Sequence, residues 1–288
     1  MSFFANFGWK VFFKELYTKF TDTDVMSSAA QVAFYFSFAF FPLLLFLVSL
    51  FGMVLESTDE LRGELYQYLA QIMPASAYEL VQTTMDEIIK SSSGGKLTLG
   101  LLVTLWSASA GVDSVRTTLN RVYEVKETRP YWKTKLQSVV LTFLFILLIA
   151  VALGGVTAGV SLVRAGLGGL GFESPAPWAL SVIQWGAIVV VMLFATAVVY
   201  SWIPCFDKFR WVWISPGAIT AILVWILFSA VFKVYLQYFN SYNKAYGSLG
   251  AVIILMLWMY ITAVALLLGG AINSVLTEIS EGRTKADA

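Results

Sequence analysis

Histidine is absent from this chain of 288 residues, and Cys205 is its one cysteine. The chain therefore lacks the usual general base near neutral pH and every imidazole metal ligand. One thiol can form neither an intrachain disulfide nor a thiolate metal cage. Any catalysis would have to rest on carboxylates, tyrosine, lysine or Cys205. We expect that the protein binds no metal and no cofactor and is not an enzyme.

Charge is also scarce, because only 13% of the residues are charged while 58% are hydrophobic. Soluble domains have roughly a quarter of their residues charged. The 19 basic and 18 acidic side chains are too few to cover the surface of a soluble protein of this length. The excess of apolar side chains must face lipid, and this excludes a soluble protein.

Six long apolar stretches account for most of the chain. A helix needs about 20 mostly apolar residues to cross the hydrocarbon layer, and all its backbone polar groups must be bonded internally. The sequence predicts an all-α membrane protein with six transmembrane helices in one domain, residues 29–278. The six spans are residues 29–55, 97–115, 136–163, 179–203, 215–239 and 249–276.

Basic residues predict the orientation of these spans. Thirteen of the 19 Lys and Arg residues lie in the two termini and in the connections after spans 2 and 4. Basic residues near span ends are retained in the cytoplasm. Both termini are therefore expected to be cytoplasmic, including the tail, residues 279–288.

Residues 1–28 precede the first span and contain no signal-peptide pattern. Their apolar residues follow helical spacing, and three lysines, Lys10, Lys14 and Lys19, lie away from the centre of the apolar stripe. This pattern predicts a cytoplasmic amphipathic helix in the headgroup layer. A helix packed on the cytoplasmic ends of the spans is the alternative. The apolar positions are Trp9, Phe12, Phe13, Leu16 and Phe20.

The long connection between spans 1 and 2, residues 56–96, is predicted to be an external insertion. Ser57 and Glu60 form a capping-box pair, and helical spacing continues to a break near Pro74. A second amphipathic run ends at the Ser- and Gly-rich residues 91–95. Two short amphipathic helices are expected here.

A polar stripe on the second span is the strongest candidate for a functional site. Its residues are spaced by 4, 3, 4 and 3 positions, which places them on one helix face. On one interpretation the stripe lines a cavity open to the cytoplasm, where Arg116 holds a phosphate or carboxylate and Asp113 tunes its charge. On the other, it is a buried ion pair that fixes helix packing. The stripe consists of Ser109, Asp113, Arg116, Asn120 and Tyr123.

Other spans contribute further candidates. Tyr35 and Ser37 lie in the first span ahead of Pro42, and Asn273 in the sixth could bridge to the stripe. Small-residue pairs indicate close helix contacts, within the protein or in a homo-oligomer. These pairs are Gly155 with Gly159, Gly247 with Ala251, and Gly270 with Ser274.

Several segments, in this order, resemble the YihY/BrkB family of bacterial inner-membrane proteins, over residues of about 10 to 278. They begin with Ala33-Phe34-Tyr35-Phe36-Ser37 and Phe41-Pro42, followed by Trp106-Ser107, Leu119-Asn120, Tyr123 and Arg129. Later segments are Tyr200 with Pro204, Ser215-Pro216-Gly217, Tyr246-Gly247-Ser248-Leu249-Gly250, Trp258 with Tyr260, and Gly269-Gly270-Ala271 with Asn273.

The resemblance implies a six-helix protein of the bacterial inner membrane without established enzymology. Members once carried the label ribonuclease BN, which has been withdrawn, and some are linked to serum resistance or to envelope lipid precursors. The working idea for the family is the movement of lipid-like or other amphipathic molecules.

Three functions follow from these observations. A transporter whose partners are membrane lipids and an amphipathic substrate fits the polar stripe, with a path past Tyr35, Ser37, Ser109, Asp113, Arg116, Asn120, Tyr123 and Asn273. A non-catalytic scaffold or envelope-assembly protein is the alternative. A ribonuclease does not fit, because the cytoplasmic carboxylates lie at no metal-ligand spacing. No nucleic-acid partner is expected, since retention in the cytoplasm explains the basic loops.

Overall fold

The computed structural model describes residues 8–55, 94–157, 177–207, 211–238 and 248–282, and the isolated residues 63, 66, 67, 70, 78 and 82. These main ranges form seven α-helices and contain no strand. The helices are α1 (Trp9–Asp22), α2 (Val25–Leu55), α3 (Gly94–Val122), α4 (Tyr131–Thr157), α5 (Pro177–Trp202), α6 (Pro216–Tyr238) and α7 (Ser248–Ser280).

Four of these helices, α4 to α7, are long and apolar enough to cross a membrane. In α2, Val25–Phe40 forms a shorter apolar helix segment. The chain thus has the helices of a membrane protein, and six spans remain a prediction. α3 continues to Val122 and α4 begins at Tyr131, so both extend beyond the predicted spans at the ends that face each other.

Helices α2 to α7 form a closed ring. Each packs on the next along the chain, and α7 returns to pack on α2. α7 also contacts α3 across the ring, and the Tyr200 hydroxyl of α5 donates a 2.7 Å hydrogen bond to the Leu266 carbonyl of α7. Consecutive helices run in opposite directions. The start of α2, α4 and α6 and the end of α3, α5 and α7 therefore meet at one end of the bundle.

We call this end the packed end, because it contains the buried core. It comprises residues 25–40, 108–142, 197–207, 211–222 and 263–282. Its core includes Val32, Leu119, Leu141, Val198, Ile203 and Leu267. We call the remaining part of α3 to α7 the far half. Among its side chains that the structure describes, only Ile146 and Phe232 are buried.

Close backbone contact at the packed end depends on glycine. A Cβ at Gly269 would lie 2.5 Å from the Gly217 carbonyl and 2.8 Å from Ala221 Cβ. A Cβ at Gly270 would lie 2.8 Å from Leu119. The predicted Gly270 and Ser274 face is thus used within the monomer, where it packs α7 on α3.

α1 packs on the C-terminal end of α7, the end that is predicted to be cytoplasmic. This is the second of the two predicted arrangements. Phe12 is buried against Ile272 and Val275. Lys19, expected to lie away from the apolar contact, is only 4% exposed and pairs with Glu278. Trp9, Phe13 and Tyr17 remain exposed on the opposite face.

Several sequence predictions lie outside the described residues. The insertion 56–96 is described only at isolated helical positions and from residue 94; among these, the Tyr66 and Tyr78 rings meet edge to face at 6.3 Å. Gly159, Gly247 and the tail from residue 283 are not among the described residues. The limits of the domains therefore remain predictions.

Candidate functional site

The polar face of α3 lies against α4 at the packed end. Asp113 Oδ1 is 2.8 Å from Arg116 Nη1 and accepts a 2.6 Å hydrogen bond from the Ser138 hydroxyl. Its Oδ2 is 2.9 Å from Lys135 Nζ, which also lies 4.8 Å from the centre of the Trp106 ring. One carboxylate on α3 is thus held by two cations and a hydroxyl.

Arg116 also links α3 to α4, as a hydrogen-bond donor. Its Nη1 donates to the Thr134 carbonyl at 3.0 Å and to the Ser138 hydroxyl at 2.9 Å. The side chains of Arg116 and Asp113 are only 13% and 25% exposed. They face protein, and a charge sheltered in this way is stabilised by its partners at the expense of hydration.

Asp113, Arg116, Lys135 and Ser138 form a polar network between α3 and α4. The turn after α3 brings a second carboxylate to this network. Glu124 has φ of 54°, and the Val125 amide donates to the Asn120 carbonyl at 2.9 Å. This helix-ending motif reverses the chain. Glu127 then accepts a 3.0 Å hydrogen bond from the Asn120 amide and lies 3.6 Å from Arg116 Nε.

Glu127 is held mainly by Arg129. Hydrogen bonds from Arg129 lower the pKa of Glu127 from 4.5 to about 2, against an opposing effect of burial. The same pair raises the pKa of Arg129. Arg129 also donates to Gln137 at 2.7 Å and to the Ile203 carbonyl at 3.2 Å. This ion pair therefore joins the turn to α4 and to the end of α5.

Asn273 and Tyr123 form a separate group. The Asn273 amide accepts a 2.9 Å hydrogen bond from the Gly217 amide and donates to the Ser215 hydroxyl at 2.9 Å, which fixes the start of α6. The Tyr123 ring packs edge to face on Phe206 at 5.0 Å. Desolvation raises the pKa of Tyr123, and its hydrogen bond to Asn273 opposes this effect. Asn273 therefore reaches the stripe through Tyr123.

The three other predicted residues do not join either group. Tyr35 is partly exposed and packs on the Phe34 ring. Ser37 and Ser109 are buried, and their hydroxyls donate to carbonyls of their own helices, those of Ala33 and Trp106. Such bonds satisfy the hydroxyl locally.

Sequence reasoning missed the partners on α4. Because the third span was predicted to begin at residue 136, Lys135 was counted as a cytoplasmic basic residue. Lys135, Ser138 and Thr142 are spaced by 3 and 4 positions and are all buried, so they form a polar stripe like that of α3. This spacing was the signal that could have identified them.

A groove of about 640 Å³ lies beside the network, between the start of α4 and the end of α5. Its lining divides into two chemically different parts. The polar part includes Thr128, Arg129, Lys133, Gln137, Ser201 and Asp207. The apolar part includes Leu136, Val140, Leu141, Trp202, Pro204 and Phe206. Cys205 completes the wall, and its backbone amide donates to the Asn120 side chain at 2.9 Å.

The described residues contain no group of three or more His, Cys, Asp or Glu side chains that could hold a metal ion. The carboxylates of the network already bind cations of the chain. Chemically, the network can close a helix interface and the groove can bind a molecule that has both polar and apolar parts.

Comparison with known proteins gives one family and one relative. Over 265 residues the chain is 33% identical to YfkH of Bacillus subtilis (strain 168), which is described only as ribonuclease-like. The match covers 92% of this chain and 94% of that protein. No solved structure matches the chain.

The family model named virulence factor BrkB matches residues 16–288. This range includes the network, the groove and all seven helices except the start of α1. The BrkB proteins are membrane proteins that are not known as enzymes. The sequence resemblance is confirmed, and the chain belongs to the virulence factor BrkB family.

Proposed function

We propose that this protein moves lipid-like or other amphipathic molecules across the bacterial inner membrane. In this proposal residues 29–278 form a six-span domain with an external insertion at 56–96. The segment 1–28 and the tail 279–288 are cytoplasmic, so the packed end faces the cytoplasm. Its partners are membrane lipids and the transported amphiphile.

The observation that carries the proposal is the position of the polar network. Asp113 and Arg116 lie at the interface between α3 and α4, at the packed end, and bind Lys135 and Ser138 of α4. Charged groups at membrane depth are costly and serve most often in pathways. Contacts made of ion pairs and hydrogen bonds can also be exchanged for water or for a ligand. We infer that the network closes the path at the cytoplasmic end.

Other features support the same function. The far half of α3 to α7 buries few of its described side chains, so these helices are less tightly fixed there. The groove beside the network combines polar and apolar walls, and an amphiphile needs both. The path proposed from the sequence is thereby narrowed to Asp113, Arg116 and Asn120, with Tyr123 and Asn273 beside it.

We do not extend ribonuclease activity from the name of the relative to this chain. Hydrolysis of RNA needs positioned acid–base groups or carboxylates that hold metal ions. Asp113 and Glu127 are bound to Arg116, Lys135 and Arg129, so their charges are used in holding the helices together.

Reconstitution into liposomes tests the proposal. Fluorescent phospholipid is placed in both leaflets, and a reductant that cannot cross the bilayer is added outside. Without transport about half of the fluorescence remains, whereas a transporter brings the protected half to the reductant. We expect nearly complete loss with the wild-type protein and the protein-free pattern after thermal denaturation.

Arg116→Lys is the informative variant. It keeps a positive charge beside Asp113 but lacks the planar guanidinium, whose Nη1 donates to Thr134 and Ser138 while its Nε faces Glu127. We expect lipid movement to slow by about tenfold with little loss of thermal stability. Thr117→Ala, an exposed change one position away, is the matched control and should move lipid normally.

The scaffold alternative predicts a different result. A folded protein that moves no lipid or other amphiphile, and that retains a stoichiometric partner in a gentle detergent pull-down, would contradict transport and favour the scaffold.

A further inference from the structure

Two charged residues of the groove are not used by the network. Lys133 lies at the start of α4 and Asp207 follows the end of α5, and both are exposed. Within the part of the chain that the structure describes, neither forms an ion pair. Lys133 Nζ lies 5.4 Å from the centre of the Trp132 ring, a contact that leaves its charge available to a ligand.

Arg129, the other cation of the groove, is already satisfied. Glu127 neutralises its charge, and Gln137 and the Ile203 carbonyl accept further hydrogen bonds. Among the described residues that line the groove, the available charges are therefore one positive and one negative. A purely anionic ligand would gain from Lys133 and be repelled by Asp207.

The groove lies at a level where lipid headgroups are expected. Large aromatic side chains at the start of α4, at the end of α5 and just before α6 are exposed, including Tyr131, Trp132, Trp202 and Trp213. Exposed tyrosine and tryptophan residues gather at the boundary between hydrocarbon and water. The charged ends of Lys133 and Asp207 are thus beside headgroups rather than acyl chains.

The apolar wall of the groove continues along α4 toward the far half. Leu136, Val140, Phe143 and Leu147 are each exposed by about half, 58%, 48%, 48% and 47%. Their spacing of 4, 3 and 4 positions places them on one face of the helix. An acyl chain can lie on this face while its headgroup occupies the polar part of the groove.

We propose that the groove binds a zwitterionic phospholipid with a phosphoethanolamine headgroup. Its phosphate lies against Lys133, its ammonium group donates hydrogen bonds to Asp207, and one acyl chain follows α4. Each contact is a charge-assisted hydrogen bond. This binding site goes beyond the proposed transport, and it depends on that function only for the step from a bound lipid to a moved one.

Cys205 gives a local readout because it is the one cysteine of the chain and lines the groove. Full-length protein is placed in nanodiscs of phosphatidylethanolamine or phosphatidylglycerol with identical acyl chains, and its alkylation by N-ethylmaleimide, an uncharged reagent, is followed by mass spectrometry. We expect alkylation to be about fivefold slower in phosphatidylethanolamine. Equal rates, or slower alkylation in phosphatidylglycerol, would overturn the proposal.

One control distinguishes an effect of the groove from an effect of the bilayer. The other distinguishes binding of the whole lipid from binding of its headgroup alone. In a Cys205→Ser, Thr117→Cys variant, whose thiol lies outside the groove, the two nanodiscs should give equal rates. If this control reproduces the wild-type difference, the effect belongs to the bilayer and the proposal fails. Soluble glycerophosphoethanolamine should give no protection, and protection equal to that of the lipid would show that the acyl-chain contact is wrong.

Substitution of the two charges tests their separate roles. Asp207→Asn should remove the preference by improving protection in phosphatidylglycerol, and Lys133→Gln should reduce protection in phosphatidylethanolamine. Lys14→Gln, on α1, and Glu281→Gln, just after the end of α7, change exposed charges outside the groove and should leave the preference intact. If Asp207→Asn keeps the full preference, Asp207 does not bind the ammonium group. Lipid binding measured here requires no transport, so loss of binding and loss of transport are distinguishable.

Discussion

The packed end and the far half of the same helices are held in different ways. At the packed end, carboxylates and cations from three segments meet, and glycines bring helix backbones together. In the far half, few described side chains are buried, and the Trp225 indole donates a 3.0 Å hydrogen bond to Thr262 that links α6 to α7.

This difference has a physical cause. Helices gain little hydrophobic free energy by contacting each other inside lipid, so association there depends on close packing and polar contacts. The packed end has both, and the described part of the far half has little of either. Opening a path at the packed end therefore requires its ion pairs and hydrogen bonds to separate, whereas the far half has few such contacts among its described residues.

Asp113→Ala should have the largest effect on this difference. It leaves Arg116 and Lys135 close together without their shared carboxylate, and loss of one partner of a sheltered ion pair costs about 3 kcal/mol. The apparent Tm in detergent should fall by roughly 6–12 °C. Thr117→Ala serves as control on the same helix. An unchanged Tm for Asp113→Ala would mean that the ion pairs do not hold the packed end.

Gly269→Ala and Gly186→Ala compare the same change in the two regions. At Gly269 the new methyl group would collide with the Gly217 carbonyl, and overpacking should cost about 2 kcal/mol. At Gly186, in the far half, a Cβ has no neighbour within 4 Å, so alanine should stabilise α5 by about 0.5–1 kcal/mol through its helix propensity. Thermal melts should therefore shift in opposite directions, and equal shifts would contradict the contrast.

Lys19→Gln tests how firmly α1 is fixed to the packed end. Lys19 pairs with Glu278, lies 3.3 Å from Glu124 and donates a 3.1 Å hydrogen bond to Ser274. Because Glu124 is 45% exposed, the expected cost is about 1.5 kcal/mol, between that of surface and buried pairs. Limited proteolysis should then cleave near α1 sooner than in the wild type. Lys14→Gln, on the exposed face of α1, should leave the cleavage rate unchanged.

The sequence predicted the membrane class, the helical content and the family, because these depend on composition, on the length of apolar stretches and on ordered motifs. It also placed Asp113, Arg116 and Asn120 on one sheltered face, since helical spacing alone decides which residues share a face. The partners across the interface could not be obtained in the same way. Glu127 reaches the network only because α3 ends in a tight reversal at Glu124.

The pattern of apolar residues did not predict the burial of lysines that pair with a carboxylate on another helix. Lys19 and Lys135 were both expected at the surface or beyond the span ends, yet each is buried against carboxylates. The rules that place lysine at the surface or beyond the ends of spans describe the average lysine. Whether a lysine is exposed depends on which acidic side chain another helix brings to it, and a single sequence does not contain that distance.

The smallest expected effect is on the acid stability of the packed end. Because Arg129 lowers the pKa of Glu127 from 4.5 to about 2, the ionised carboxylate stabilises the folded protein above pH of about 4.5, and this stabilisation is lost as the pH falls toward 2. The apparent Tm of the wild type should therefore be flat with respect to this group from pH 7 to 5 and decline below 4.5. Glu127→Gln should lower the Tm at neutral pH and make this acid decline shallower, whereas Glu281→Gln should keep the wild-type profile. An unchanged decline in Glu127→Gln would mean that Glu127 does not control the response of the packed end to acid.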